Sequence, residues 1–440
     1  MTQTGLFWFN NDLRLHDQTA LWQLANRVDR LVCVFCIDPE WFKPNGLNSR
    51  AMGQQRYRFL LESLADLQAA LADLGQTLVV LEQRPVAAIS QLIERYQISH
   101  VSRSAHPGIY EQRQWDVLQR SFPRTRFLET DTFTLFHRED LPFAIEDLPK
   151  SFSQFRRMVE ALQVPAAQKA LTYLPAPPQF ESTTIPYQQA ALNTLFKGGE
   201  RAALTQLGNY FSSEAASSYK QTRNELDGWL NSTRFSPWLA NGSLSARYIH
   251  SCLRQYERLH GANDSTEWIF VELLWREYFQ WYAIQHGYRL FTPSGITQKP
   301  VRCCFYPERY QRWCHGNTPY PLVNALMHEL NETGYMSNRG RQIVASAFIH
   351  ELRMDWRYGA AYFEQQLIDY DMASNWGNWQ YIAGVGVDPR GGRHFNLEKQ
   401  TRDYDPDGIF INKWQGGEGN QPLDSLDAAD WPIMPPRPRS

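Results

Sequence analysis

The run Leu31-Val-Cys-Val-Phe-Cys-Ile37 is apolar at every position. A strand with one face in water alternates polar with apolar residues, so an unbroken run of this kind, closed by Asp38, reads as a strand buried on both faces. Cys33 and Cys36 have CxxC spacing, but on such a strand they point to opposite faces, which suits core packing and not redox or zinc chemistry. Further short β-rich runs lie outward from it, at Leu6–Phe9, Thr77–Glu82, His100–Arg103 and Arg126–Leu128, with helical stretches between them. The most regular helical stretch runs from Gln54 to Leu74, with Leu60, Leu61, Leu64, Leu67, Leu71 and Leu74 on one stripe and Gly75 placed to close it. Strands alternating with helices predict an α/β domain over residues 1–131, built on a parallel, doubly wound sheet. Neither GxGxxG after the first strand nor a Walker A sequence occurs there, so the usual phosphate-cradling loop is missing.

The chain has 440 residues, enough for about two large domains. Prolines punctuate residues 132–200 (Pro142, Pro149, Pro165, Pro175, Pro177, Pro178, Pro186), which predicts a long ordered linker. Beyond Arg201 the helical period takes over and Trp and Tyr concentrate, as in Trp268-Ile-Phe-Val-Glu-Leu-Leu-Trp-Arg-Glu-Tyr-Phe-Gln-Trp-Tyr282. Residues 201–414 read as a large all-helical domain, and 415–440, rich in Gly, Asp and Pro, as a mobile tail. With 44 basic and 46 acidic side chains the net charge is −2, so a nucleic-acid partner must be met by a local basic face. No uncharged apolar run approaches a membrane span, and Met1–Gly5 carries no basic leader, so a soluble, cytoplasmic protein without membrane contact is expected. Six cysteines are too sparse for a disulfide framework. His328-Glu329 begins like a zinc-binding helix, but Glu332 stands where the second histidine is needed, so no metal site is expected.

Three strings in the helical region carry candidate chemistry. Ser232-Thr-Arg-Phe-Ser-Pro-Trp238 puts hydroxyls and an arginine at a helix start, where they suit a phosphate as well as an ordinary N-cap. Tyr335-Met-Ser-Asn-Arg-Gly-Arg-Gln342 is a donor-rich loop. Leu367-Ile-Asp-Tyr-Asp-Met-Ala-Ser-Asn-Trp-Gly-Asn-Trp-Gln-Tyr381 offers Asp369, Asp371 and Asn375, groups that can bond the polar edge of a heteroaromatic ring, with Arg341 a partner for Asp369. Taken singly, such strings are more often caps and turns.

Together, in this order and with Glu272-Leu-Leu-Trp-Arg-Glu277 between them, they resemble the photolyase/cryptochrome family. Asn338-Arg-Gly-Arg-Gln342, Asp369-Tyr-Asp371, Gly377-Asn-Trp-Gln-Tyr381 and Tyr404-Asp-Pro-Asp-Gly408 are similar to its DASH-type branch, and the likeness runs from Phe9-Asn-Asn-Asp-Leu-Arg14 to Trp414. The resemblance implies a bent FAD in the helical domain. Tyr219, Ser232, Thr233, Arg234, Phe235 and Ser236 would surround its phosphates and ribityl chain, with Asn338 and Arg341 also in contact. Asp369, Tyr370 and Asp371 would face the ring's polar edge, and Asn375 the flavin N5, where photolyases have Asn and many signalling cryptochromes do not.

The reaction so implied is light-driven electron transfer from reduced FAD to a cyclobutane pyrimidine dimer, in which the cofactor does the chemistry and no side chain need be a nucleophile or general base. Glu272 would bond the flipped bases and Trp275, one turn on, would stack on them. Tyr381 stands where DNA photolyases have tryptophan, which reduces stacking area and makes single-stranded DNA the expected substrate. Arg223, Arg276, Asn338, Arg339, Arg390, Arg393, Lys399, Gln400 and Arg402 would supply a phosphate-binding rim, to which RNA is the other candidate nucleic acid. Trp379 beside the flavin and Trp356 behind it match the family's photoreduction relay. Cys303 stands where the family pattern has its outer tryptophan, so either an insertion or deletion shifts the match or Tyr306, Tyr310 or Trp313 takes that place. His106-Pro-Gly-Ile-Tyr-Glu111 lies in the neighbourhood where a methenyltetrahydrofolate antenna would bind in DASH-type members, and reads equally well as a strand-exit turn. A monomer is expected. The alternatives are a blue-light photoreceptor with little repair and, lacking any nicotinamide fingerprint, a disfavoured flavin oxidoreductase.

Overall fold

The computed structural model describes residues 2–179, 185–186, 194–298, 301, 303–387 and 391–418. Arg390, the tail from residue 419 and residues 180–184 and 187–193 of the connection lie outside the described residues. Strands β1 (Thr4–Phe9), β2 (Arg30–Cys36), β3 (Leu78–Leu81), β4 (His100–Ser104) and β5 (Arg126–Thr130) alternate with helices α1 (Thr19–Ala25), α2 (Gln54–Ala72), α3 (Pro85–Tyr96) and α4 (Ile109–Ser121). All pairings are parallel, in the order β3-β2-β1-β4-β5, so the chain winds outward both ways from β1 and places helices on both faces.

Strand β2 shows why its sequence is apolar throughout. Leu31, Cys33, Phe35 and Ile37 share a core with Leu21, Leu24, Leu64 and Leu67 of α1 and α2, whereas Val32, Val34 and Cys36 pack with Ile89, Trp115 and Leu118 of α3 and α4. The two thiols sit on opposite faces, and burial pushes both up, Cys36 to about 12, which removes thiolate chemistry at neutral pH. Helix α2 ends at Ala72, and Gly75, at φ +70°, donates its N–H to the Ala72 carbonyl at 2.9 Å to turn the chain away.

The first part of the connection that follows the sheet is bound to the helical region, whereas at Gln168 and Pro175 it bonds back to the α/β region. It includes α5 (Phe152–Val159), and the Leu135 and Phe136 N–H groups donate to the Glu277 carboxylate at 2.7 and 3.2 Å. Trp281 Nε1 adds a third donor at 2.9 Å, and burial pushes Glu277 up to about 7. The helical region comprises α6 (Glu200–Phe211), α7 (Ala215–Thr222), α8 (Ser236–Ala240), α9 (Ala246–His260), α10 (Asp264–His286), α11 (Pro307–Cys314), α12 (Pro321–Thr333), α13 (Asn338–Ser346), α14 (Trp356–Gln366), α15 (Met372–Ala383), α16 (Leu397–Tyr404) and α17 (Ile409–Lys413). Helix α10, 23 residues long, is the axis, packed against α5, α7, α9 and α15. A capping box starts it: the Asn263 side chain accepts from the Ser265 and Thr266 N–H groups while Thr266 Oγ1 accepts from Asn263 N–H.

The Asn-Asp-Leu-Arg opening joins the two regions. Buried Arg14 donates to the carbonyls of Gly242 (2.9 Å) and Thr132 (2.7 Å), and Asp17 pairs with Arg247 at 3.1 Å. His16 Nδ1 lies 2.6 Å from the Glu200 carboxylate.

Candidate functional site

A cavity of about 440 Å³ opens within the helical region, and nearly all of the residues assigned to cofactor and substrate line it: Tyr219, Arg223, Ser232, Thr233, Arg234, Phe235, Ser236, Glu272, Trp275, Arg276, Asn338, Arg339, Arg341, Asp369, Tyr370, Asp371, Asn375, Trp379 and Tyr381. They are contributed by α7, the turn into α8, α10, α13, the loop leading into α15 and α15 itself. Trp356, Arg393, Lys399, Gln400 and Arg402 are outside the lining.

One side of the cavity is polar. Arg341 Nη2 donates to Asp369 Oδ2 at 2.7 Å and its Nε to the Met336 carbonyl at 2.9 Å. The Asp369 side chain is 1% exposed, and its other oxygen has no partner among the described residues. A buried carboxylate oxygen left so is costly unless a ligand N–H or O–H meets it. Asp371 caps α15, accepting from Ser374 N–H at 2.7 Å, and Gln280 Nε2 donates to both of its oxygens at 2.9 Å. Asn375 Nδ2 donates to the Ala360 carbonyl at 3.0 Å, which turns the amide oxygen away from that carbonyl. Arg234 adopts φ +56°, with its guanidinium over the Tyr335 ring at 4.8 Å, its Nη2 donating to the Gly228 carbonyl at 3.1 Å and its Nε without a partner among the described residues. Helix α8 is a single turn of five residues, so the hydroxyls and Arg234, not a helix dipole, give this end its anion-binding character. A buried acceptor without a protein partner, together with hydroxyls and an arginine, suits a ligand that carries both N–H groups and phosphates.

The opposite wall is aromatic and carboxylic. Glu272 accepts from Trp268 Nε1 at 3.1 Å and from Arg223 Nη1, and burial raises its carboxyl against the pull of both donors. Trp275 lies 6.5 Å from Tyr381 with the ring planes 75° apart, forming a wedge. Arg393 donates to the Tyr381 hydroxyl and lies over its ring at 5.1 Å. Arg276, expected at the rim, instead donates to the Phe133 carbonyl at 2.7 Å and the Leu239 carbonyl at 3.4 Å. Arg339 donates to Asn224 Oδ1 at 3.3 Å, Gln400 is buried on α16, and Lys399 and Arg402 are exposed there.

Trp379 is 2% exposed and packs edge-on against Phe363 (5.2 Å) and Trp313 (6.3 Å). A Cβ at Gly359 would fall 2.2 Å from the Trp379 ring, so the missing side chain lets this indole lie directly on α14, one turn from Trp356. Trp356 donates to the Pro293 carbonyl at 3.0 Å and packs against Trp376 at 5.8 Å. Cys303 sits beside Asp355 at the start of α14, and Tyr306, Tyr310 and Trp313 are all buried.

The sequence reading missed Trp268 and Gln280. Trp268 stands four residues before Glu272 on a helix, a spacing that puts both on one face and could have revealed it. Gln280 bonds a residue 91 positions away, for which no local signal exists. A second cavity, about 340 Å³, lies between the α/β region and α10, lined by His106, Ile109, Arg113, Glu129, Asp131, Arg138 and Trp281 among others.

Among the described residues, no helix is long and apolar enough to cross a membrane and no group of His, Cys, Asp and Glu could hold a metal ion. Residues 5–178 match the DNA photolyase family model, and 268–419 match that of the FAD binding domain of DNA photolyase. Cryptochrome DASH of Idiomarina loihiensis is 54% identical over 434 residues, covering 98% of this chain and 96% of that one. Cryptochrome DASH of Vibrio parahaemolyticus is 48% identical, covering 98% and 97%. The crystal structure of a Synechocystis cryptochrome superposes with a TM-score of 0.91 at 37% identity, covering 97% of this chain and 93% of that one. The family matches over both regions and the near full-length relatives agree: the chain is a member of the photolyase/cryptochrome family, in its DASH branch, with that family's FAD-binding domain.

Proposed function

We propose that this protein splits cyclobutane pyrimidine dimers in DNA under light, chiefly in single strands. The observation that carries this reading is the two-sided cavity: Asp369, Asp371 and Asn375 on the polar side and Glu272, Trp275 and Tyr381 on the other share one continuous space. Bound on the polar side, reduced FAD supplies the light-driven electron that opens the dimer. Asp369 would accept from the ring's polar edge, and Arg341 holds that carboxylate in place. Asn375 offers an amide that does not titrate. Ser232, Thr233, Ser236 and Arg234 hold the phosphate end.

Trp275 stacks on an extruded base, and Glu272, whose carboxyl burial raises toward the protonated form, hydrogen-bonds its polar edge. A flipped base costs a few kcal/mol of lost stacking in a duplex and little in a single strand. Tyrosine at 381 offers less stacking surface than tryptophan, where each base stack is worth ~1–3 kcal/mol, so the balance favours unpaired DNA. Arg223, Arg339 and Arg393 are the cations that would meet phosphates. Trp379 and Trp356 serve as inner members of a reductive relay. The interdomain cavity takes a folate antenna: its Arg113, Arg138, Glu129 and Trp281 suit a charged, flat pterin.

The test illuminates reduced protein with dimer-bearing oligonucleotides, single-stranded and duplex. Repair of the single strand well above the duplex is expected, Tyr381→Trp should narrow that gap, and Glu272→Ala should lose repair while keeping flavin. Equal repair of both forms would reject the Tyr381 reasoning, and no repair of either would favour a blue-light receptor.

A further inference from the structure

One face of the Trp275 indole is covered by the ring of Phe152, the centroids 3.7 Å apart and the planes within 11°. Trp275 lines the cavity and Phe152 does not, so the covered face is the one turned away from it. Phe152 is the first residue of α5, in the connection between the two regions, and is buried. Its helix is fastened firmly. Ser151 caps it through Gln154 N–H, Phe155 packs on Tyr278 at 5.2 Å, the Tyr278 hydroxyl donates to the Pro149 carbonyl at 3.0 Å, and Arg156 pairs with Glu267 at 3.1 Å. Glu267, Trp275 and Tyr278 all belong to α10, so α5 is clamped along the helix that also carries Glu272.

We infer that Phe152 is a positioning residue for the substrate wall: it holds the Trp275 indole in one orientation with a single face open to an incoming base. This rests on the repair reading above. Trp275 is only partly buried and its other ring neighbours are farther away: Phe279 at 5.8 Å with the planes 28° apart, and Tyr278 and Tyr381 edge-on at 6.4 and 6.5 Å. Phe152 is the nearest and most nearly parallel of these rings. With that ring gone, the indole has room to turn into the vacated space, and the register between the stacking face and the Glu272 carboxyl is lost. A dimer must meet both groups at once, whereas an undamaged strand held by phosphate contacts needs neither. Phe152 therefore acts on discrimination between damaged and undamaged DNA and not on DNA affinity in general. A stacked aromatic pair contributes, beyond its buried area, an amount equivalent to roughly two- to tenfold in affinity.

The experiment measures, in the dark and on flavin-loaded protein, binding of fluorescein-labelled single strands with and without a thymine dimer. Wild type, Phe152→Leu and Phe152→Tyr are compared, with flavin content and melting temperature recorded for each. Leucine keeps an apolar side chain without a flat face, and should weaken dimer-strand binding roughly two- to tenfold while leaving undamaged-strand binding and flavin content unchanged. Tyrosine restores the flat face and should restore the preference. Phe152→Met, which fills the same space with a flexible chain, carries the comparison if leucine costs the protein its fold. Unchanged preference in the leucine variant, or equal loss on both strands, would overturn the positioning role while leaving repair standing. A wild type that shows no preference for the dimer strand would overturn the repair reading and this one with it.

Discussion

Replacing Asp369 with asparagine alters one oxygen at the polar end of the flavin cavity and nothing in size. In the native site Oδ2 is bound to Arg341 at 2.7 Å and Oδ1 is buried with no protein partner. The variant loses the charge that Arg341 balances, and it can place an amide N–H where the ligand also presents N–H. Hydrogen bonds to charged groups contribute about 1.5–3 kcal/mol, so flavin affinity should fall roughly 10- to 150-fold. The assay follows flavin release from the purified holoprotein on dilution, with circular dichroism confirming the helical content. A buried ion pair broken on one side also destabilises the fold by roughly 3–5 kcal/mol, so a lower melting temperature is expected and is not itself diagnostic. Release at the wild-type rate from folded Asp369→Asn protein would refute the assignment of Oδ1 to the flavin and reduce the Arg341–Asp369 pair to a structural tie.

Glu329 on α12 is 5% exposed, and Oε2 has no partner among the described residues. Burial pushes its carboxyl from 4.5 up to about 8 despite nearby Arg234 and Arg341. A raised folded value means that the fold holds the acid form: this stability is complete below pH 4.5 and is lost as pH rises through about 8, at about 1.4 kcal/mol per pH unit inside that window. Glu329→Gln should therefore melt near wild type at pH 5 and above it at high pH; a difference that does not change with pH would remove Glu329 as its source. Gly359→Ala would drive a methyl group to 2.2 Å from the Trp379 ring, costing about 1–3 kcal/mol and displacing the indole, so melting temperature and flavin photoreduction rate should fall together. Wild-type values for both would show that the ring yields freely.

The sheet was legible because its strands obey a simple rule: β2 is apolar on both faces since helices cover both, and its pattern says so without help from distant residues. Helix α2 was legible in the same way, its leucine stripe lying on the buried face. The flavin cavity could be assembled only through resemblance, because Asp369, Ser232 and Tyr219 are remote in sequence and each alone is a plausible cap or core residue. Asp371 shows how thin the distinction is: it caps α15 and lines the cavity at once. The connection was the least legible part. Its prolines mark a path without regular pairing, but nothing in Phe152 or Leu135 announces that one will back Trp275 and the other donate to Glu277. Such contacts depend on where α10 passes, which is settled by tertiary packing and not by local propensity.

Glu277 has a consequence for anyone who would cut this chain into parts. Its carboxylate takes two of its three N–H donors from the polypeptide upstream of the helical region, and Arg14 and Asp17 reach Gly242 and Arg247 in the same direction. A C-terminal fragment begun at residue 201 would carry a buried acid stripped of most of its donors and a surface missing its arginine. The α/β half is thus a structural subunit of the flavin half, and the two should melt as a single transition, with no free-standing flavin module to transplant.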